Sequence, residues 1–303
     1  MNLTIKPLHP LFAAEITGVD LNRPVDAQTL AALVQAFDRH AVAVFPGQFI
    51  GNEAQMAFSR LFGPLELMPL VPGKPPRLPH RELFDVSNLD EQGRITPETD
   101  ERRIYNLGNL LWHTDGSFRK VAARYSLLSA HAVPPAGADT EFADMRAAWD
   151  ALPQALKTRI DGRIAEHSIW TSRAKLGGYR PTPQELKARP PARHPLVRTH
   201  PGSKRKTLYI ADHVSHIVGM PIEEGQALLR ELMQFATQPQ FVYAHRWTAG
   251  DIVLWDNRCT MHRATPFDDT GHMRDMRRTT ALDVDEPGEW VEEPVVAIAH
   301  GVT

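Results

Sequence analysis

The sequence predicts an α+β fold, mainly β, built round a β-sandwich or barrel with helical insertions. Short apolar or alternating runs recur from residue 14 to residue 284, bounded by Gly and Pro. Helical spacing appears only in separate stretches between them. No internal repeat, low-complexity tract or Gly-rich phosphate loop suggests another class. A chain of 303 residues with 42% hydrophobic content can bury one large core, so a single domain over 1–303 is expected.

The elements follow in order. Ala14 to Leu21 alternates and breaks at Gly18, which reads as strand and turn. Ala27 to His40 places Leu30, Leu33, Val34 and Phe37 at helical spacing. Ala41 to Phe45 reads as a buried strand closed by Pro46-Gly47. Asn52 is expected to cap a second short helix through Phe58 and Leu61, ended by Gly63-Pro64. From about 68 to 103, Pro69, Pro72, Pro75, Pro76 and Pro79 are followed by crowded charges. That pattern predicts a long irregular loop, acting as a lid or disordered. Strand character returns at Arg124 to Ala130, with a turn at Pro134 to Gly137. Asp144 is placed to cap a helix through Ala148, and Pro153 to sit in the first turn of another. Leu196 to His200 and Thr207 to Ile210 read as a β pair. Pro221 to Thr237 is an amphipathic helix, and Phe241 to Val284 is strand-rich.

Composition narrows the function. A net charge of -2 gives no reason to expect nucleic acid or a membrane as partner. Arg102-Arg103 and Lys204-Arg205-Lys206 are short and read as solvated loops. A single cysteine, Cys259, excludes an internal disulfide and fits a reducing compartment. Met1-Asn2-Leu3-Thr4 leads into no apolar signal core, and no stretch approaches membrane-spanning length. A cytoplasmic enzyme is the expectation.

Two segments carry the chemistry: Trp112-His113-Thr114-Asp115 and Trp255-Asp256-Asn257-Arg258-Cys259-Thr260-Met261-His262. On a strand, His113 and Asp115 face one way, so one metal can reach both. His262 is distant in sequence and has to be delivered by the fold. A double-sheet jelly roll would do this, because its first and last core strands can meet at one mouth. Two imidazoles and a carboxylate suit non-haem Fe(II), with positions left for a chelating cosubstrate and oxygen. They also suit zinc. A His-x-Asp triplet alone occurs by chance in many proteins, so the surrounding residues matter. Arg274 and Arg278 share one strand face, with Arg277 on the other. Guanidinium groups bind carboxylates bidentately, so two beside a metal suggest two anionic groups to hold. Elsewhere they would be edge-strand surface residues. Cys259 and Met261 are expected in the core. His213 and His216 are poorly spaced for a second metal, and His213 is expected to line the pocket.

The two segments, together with Pro7 to Ala14, Asn109 to Phe118, Ala123 to Ser126 and Asp139 to Ala148, resemble a known family. It is the taurine/2,4-dichlorophenoxyacetate dioxygenase family of Fe(II)- and 2-oxoglutarate-dependent oxygenases, and the likeness is closest to the 2,4-dichlorophenoxyacetate branch. It covers nearly the whole chain and implies a distorted double-stranded β-helix, a jelly roll with helical insertions. By position it makes His113, Asp115 and His262 the iron ligands. It makes Arg274 the holder of the distal carboxylate of 2-oxoglutarate, and Thr140 a hydrogen-bonding partner of that cosubstrate. Arg278 would grip the substrate's anionic head, and Asn109 would line the pocket. One departure stands out: the family often has Gly-Gly-Asp-Thr where this chain has Gly137-Ala138-Asp139-Thr140. If that second position needs positive φ, Ala138 is strained.

The resemblance implies Fe(II), 2-oxoglutarate and O2 as cofactor and cosubstrates. It implies hydroxylation of a small anionic molecule, an aryloxyacetate in the similar branch. Collapse to a phenol and glyoxylate would accompany release of succinate and CO2. Three alternatives stay open. A taurine or alkylsulfonate dioxygenase would use Arg278 equally well. A non-catalytic jelly-roll binding protein would keep the fold without the reaction. A zinc hydrolase would use the same ligands but leaves the arginines unexplained. Homo-oligomeric assembly is common in the family and is expected. The 68–103 loop matches no family motif and is expected to help select the substrate.

Overall fold

A computed structural model describes residues 3–68, 76–177 and 180–290. Its larger sheet has seven strands in the order Thr4–Pro7, Ala14–Thr17, Val42–Phe45, Ile252–Asp256, Ala123–Ala132, Asp275–Leu282 and Phe84–Asp85. Its pairs are antiparallel except Ala14–Thr17 beside Val42–Phe45. A smaller antiparallel sheet orders Val242–His245, Thr140–Asp144 and Thr260–Ala264. A third, of four strands, joins Val214–Ile217, Ile164–His167, Ala192–Pro195 and Glu289–Trp290. The protein is mixed α/β, with the sheets at its centre.

The continuous apolar run 42–45 makes sense in this arrangement. Successive side chains on a strand point to opposite faces, and here both faces are covered. Val42, Val44, Leu128 and Val253 point toward the smaller sheet and share a buried cluster with its Phe142. Ala43, Phe45, Leu127 and Leu254 point the other way, against Leu33 and Phe37 of helix Ala27–His40. The smaller sheet's outer face meets helix Ile222–Ala236 through Leu228, Leu232 and Met261. Each core strand is therefore buried twice over and held rigid, which matters for the side chains at its ends.

Several local expectations hold. Asp144 accepts from the backbone N–H of Arg146 and Ala147, so it caps its helix. Val197–Thr199 pairs with Lys206–Leu208. Others need correction. Asn52 is the first residue of helix Asn52–Arg60, with Gly51 at the cap. Its side chain instead accepts from Arg277 at 2.6 Å. Pro153 stands at the cap of Gln154–Ile160 rather than in its first turn.

The described part of the 68–103 stretch, residues 76–103, is more ordered than its composition suggests. Phe84–Asp85 adds an edge strand beside Arg277 and Arg278, Leu89 bridges Ile95, and Glu101–Asn106 is helical. Arg77 ties the stretch to the sheet through Asp85 and Asp275, at 2.8 and 2.6 Å. Asp275 is remote in sequence, so prolines and charges alone could not reveal that tie. Pro69, Pro72 and Pro75 lie outside the described residues. Among the described residues no helix is long and apolar enough to cross a membrane.

Candidate active site

His113 and His262 are joined directly by the backbone. His113 N–H donates to the His262 carbonyl at 3.0 Å, and His262 N–H donates to the His113 carbonyl at 2.7 Å. This is one hydrogen-bonded antiparallel pair. It puts both imidazoles on one side, with ring centroids 4.2 Å apart. His113 belongs to an isolated bridge and not to a strand, which corrects the expected strand geometry of His113 and Asp115. The chain instead turns at once, and Asp115 enters from that turn. Gly116 permits it at φ 63°, where a Cβ would stand 3.1 Å from the Ala123 nitrogen.

The three side chains converge all the same. Asp115 Oδ1 lies 4.0 Å from His113 Nε2, and Oδ2 lies 3.8 Å from His262 Nε2. His113 Nδ1 sits 2.7 Å from the Leu111 carbonyl. That carbonyl only accepts, so Nδ1 carries the hydrogen and Nε2 keeps its lone pair. His262 is oriented by packing, between Trp255 at 4.7 Å and Phe142 at 6.1 Å. Burial pushes the pKa of His113 down and that of His262 well down, so both rings are neutral at pH 7. Burial alone would raise Asp115, but the Arg278 guanidinium, then the facing His262 and His113 rings, and last the Ser126 hydroxyl together outweigh it and hold the carboxyl down to about 2. Neutral imidazoles and an ionised carboxylate are the states a divalent metal needs. Their ligand atoms lie within 4.8 Å of one another, so the donor set fits Fe(II).

A cavity of about 320 Å³ opens beside the two histidines, within the range of small-molecule sites. Arg274, Arg278, Thr140 and Asn109 all line it. Arg274 is 8% exposed, and among the described residues no carboxylate pairs with it. Its backbone N–H is held by Asn88 and its Nη1 donates to the Val86 carbonyl at 3.0 Å. Burial pulls its pKa from 12.5 to about 10. A desolvated cation without a counter-charge is what an incoming carboxylate would complete. Thr140 Oγ1 accepts from Trp247 Nε1 at 3.0 Å, which leaves the hydroxyl hydrogen to be donated. Ala138 does take positive φ, at 58°, and Thr140 still reaches the cavity wall. Arg278 is held between Asp115, to which it donates, and the face of Phe84, 5.2 Å from its guanidinium carbon. Arg277 turns away toward Asn52 and Asp275.

His213 packs edge-on against His113 at 5.7 Å and Phe118 at 5.1 Å, and shares a hydrogen bond with Ser172. It backs the metal group and is not among the residues lining this cavity. His216 faces Glu166 instead, at 4.0 Å. Cys259 and Met261 are buried in the core, and burial pushes the Cys259 thiol up. His200, Asp256 and Cys259 also cluster. Their carboxylate is already taken by Arg258 at 2.6 Å and His200 at 2.9 Å, so it is a buried ion-pair network. Arg103, read as part of a solvated loop, is 12% exposed, pairs with Asp269 at 2.6 Å and lines the cavity. Val86, Trp247 and Phe84 gave no sequence signal for their roles. Each is set by long-range packing.

A family model described as "Taurine catabolism dioxygenase TauD, TfdA family" matches residues 4–280. The chain belongs to that family. A relative named "Alpha-ketoglutarate-dependent 2,4-dichlorophenoxyacetate dioxygenase", from Cupriavidus pinatubonensis (strain JMP 134 / LMG 1197), is 45% identical over 93% of this chain and 99% of its own. A "(S)-phenoxypropionate/alpha-ketoglutarate-dioxygenase" from Sphingobium herbicidovorans is 39% identical over 88% and 90%. Among solved structures, AAD-2 in complex with Mn(II) and N-oxalylglycine superimposes with a TM-score of 0.88. It is 42% identical and covers 96% of this chain and 100% of that one. This TauD, TfdA family chain is therefore an oxidoreductase: a dioxygenase dependent on Fe(II), 2-oxoglutarate and O2, acting on a small molecule.

Proposed function

We propose that this dioxygenase hydroxylates an aryloxyacetate, such as 2,4-dichlorophenoxyacetate, at the carbon beside the ether oxygen. The hemiacetal so formed collapses to a phenol and glyoxylate. The observation that carries this reading is the pair of cavity guanidiniums, Arg274 and Arg278, beside the His113–Asp115–His262 group. Its occurrence in a chain 45% identical to a relative named for that substrate adds support.

His113, Asp115 and His262 would hold the iron. When bound, the iron activates O2 with oxidative decarboxylation of 2-oxoglutarate to succinate and CO2. Arg274 would take the distal carboxylate of 2-oxoglutarate and Thr140 would donate its free hydrogen to it, fixing one orientation. Arg278 would meet the substrate's carboxylate, with Phe84 stiffening the guanidinium from below. Leu107, Leu110, Leu128 and Phe267 supply apolar wall for an aryl ring. Asn109 lines the same space. His213 would act from behind His113 rather than on substrate.

At the level of the fold, the two facing sheets are read as the halves of a distorted jelly roll in one domain spanning 1–303. Antiparallel pairing and the breadth of the family match support this. Homo-oligomeric assembly and residence in the cytoplasm are proposed alongside, on the family's habit and the single buried cysteine.

The test is anaerobic loading with Fe(II) and 2-oxoglutarate, then oxygen with phenoxyacetate or an alkylsulfonate. Phenol release coupled to succinate is the expected result. Brisk sulfonate turnover without phenol would overturn the substrate.

A further inference from the structure

We propose that Asn257 and Ser126 are the positioning residues of the Asp115 carboxylate. Together they fix the turn that carries it and commit one hydroxyl hydrogen to its Oδ2. The inference rests on the reading of Asp115 as a metal ligand.

No ladder holds Asp115, because the chain leaves its single bridge at His113 and turns. Asn257, at the end of strand Ile252–Asp256, holds it instead. Its Oδ1 accepts the Asp115 backbone N–H at 3.0 Å and the Trp255 indole N–H at 3.0 Å. Its own carbonyl accepts the Thr114 hydroxyl at 2.7 Å. Backbone and indole N–H groups can only donate, so the amide oxygen has to face them. The amide nitrogen is thereby aimed the other way, at Ser126 Oγ, 3.0 Å off.

That choice sets the next one. Ser126 has one hydrogen. With the Asn257 amide donating into a lone pair, the hydrogen is available to Asp115 Oδ2 at 2.6 Å. Thr280 Oγ1, at 3.3 Å, is the weaker competitor. Ser126, Asn257 and Thr280 have no exposure and Asp115 only 5%, so bulk water offers no alternative partners. Ser126 itself sits on Ala123–Ala132, a strand paired on both sides. A rigid central strand is thus coupled through two hydrogen bonds to Oδ2 of a carboxylate carried on a turn, while the Arg278 guanidinium takes the other oxygen, Oδ1. Outer partners that orient a ligand in this way typically contribute 10–100-fold to metal affinity.

The experiment titrates apo protein with Mn(II), with free ion followed by electron paramagnetic resonance and folding by thermal melts. Ser126→Ala and Asn257→Asp are each expected to raise the Mn(II) dissociation constant about 10–100-fold. Both should keep a cooperative melt. A role confined to stability would lower the melting point and leave Mn(II) affinity alone. Asn257→Asp disturbs three buried partners, so if it does not fold, Ser126→Ala decides. A folded Ser126→Ala protein that binds Mn(II) as tightly as wild type overturns the proposal. Wild type that binds no Mn(II) overturns the metal reading of the triad first, and the proposal with it.

Discussion

Arg274→Met should push the fold and the ligand affinity in opposite directions. Arg274 is a buried cation whose guanidinium, among the described residues, bonds the Val86 carbonyl and no carboxylate, and burial pulls its pKa from 12.5 to about 10. Keeping it charged inside therefore costs about 3 kcal/mol. The sign is plain: the folded pKa lies below the unfolded one, so the folded state disfavours the proton that is bound at neutral pH. Methionine of similar length removes this cost and loses the bond to Val86, about 1.5–3 kcal/mol for a charged donor. The apo fold should end about 0–1.5 kcal/mol more stable. With 2-oxoglutarate the balance reverses. Losing one partner of a buried carboxylate pair costs about 2–5 kcal/mol. At about 3 kcal/mol the dissociation constant rises about 150-fold. The assay is urea unfolding with and without 2-oxoglutarate, Mn(II) being present throughout. At a concentration 100 times the wild-type dissociation constant, the cosubstrate should stabilise wild type by about 2.7 kcal/mol and the variant by about 0.3 kcal/mol. A variant less stable when empty, yet stabilised as much as wild type by the cosubstrate, would refute both the charge argument and the assignment of Arg274.

Three further outcomes are expected. Arg278→Met should raise KM for the anionic substrate about tenfold or more and leave that for 2-oxoglutarate nearly unchanged, as read by steady-state kinetics. His194 is held neutral by burial, its pKa pulled from 6.5 to about 4. The unfolded chain therefore takes up the proton first. Stability is full above about pH 6.5 and falls toward pH 4, by about 2 kcal/mol at pH 5, and His194→Gln should flatten that slope in urea midpoints. Gly137→Ala should lose about 2 kcal/mol in thermal melts, since φ is 71° and its Cβ would lie 2.6 Å from the Pro266 carbonyl.

What could be read early and what could not divides along particular residues. Helix Ala27–His40 was legible because four apolar side chains repeat at 3.6-residue spacing and face one core. Strand Phe84–Asp85 was not, because two residues carry no periodicity and its pairing with Arg277 and Arg278 is set by the partner strand. Arg103 misled for a similar reason: its neutralising Asp269 is far along the chain.

The amino-acid order alone determined the ligand types, the local nearness of His113 to Asp115, and the shared face of Arg274 and Arg278. These depend on covalent spacing over four residues or fewer. Tertiary structure decided the rest. It paired His262 with His113, aimed the Asn257 amide, and buried Arg274 with no counter-charge among the described residues. Those outcomes depend on strand register and burial. Both arise only when segments more than a hundred residues apart exclude water from one another.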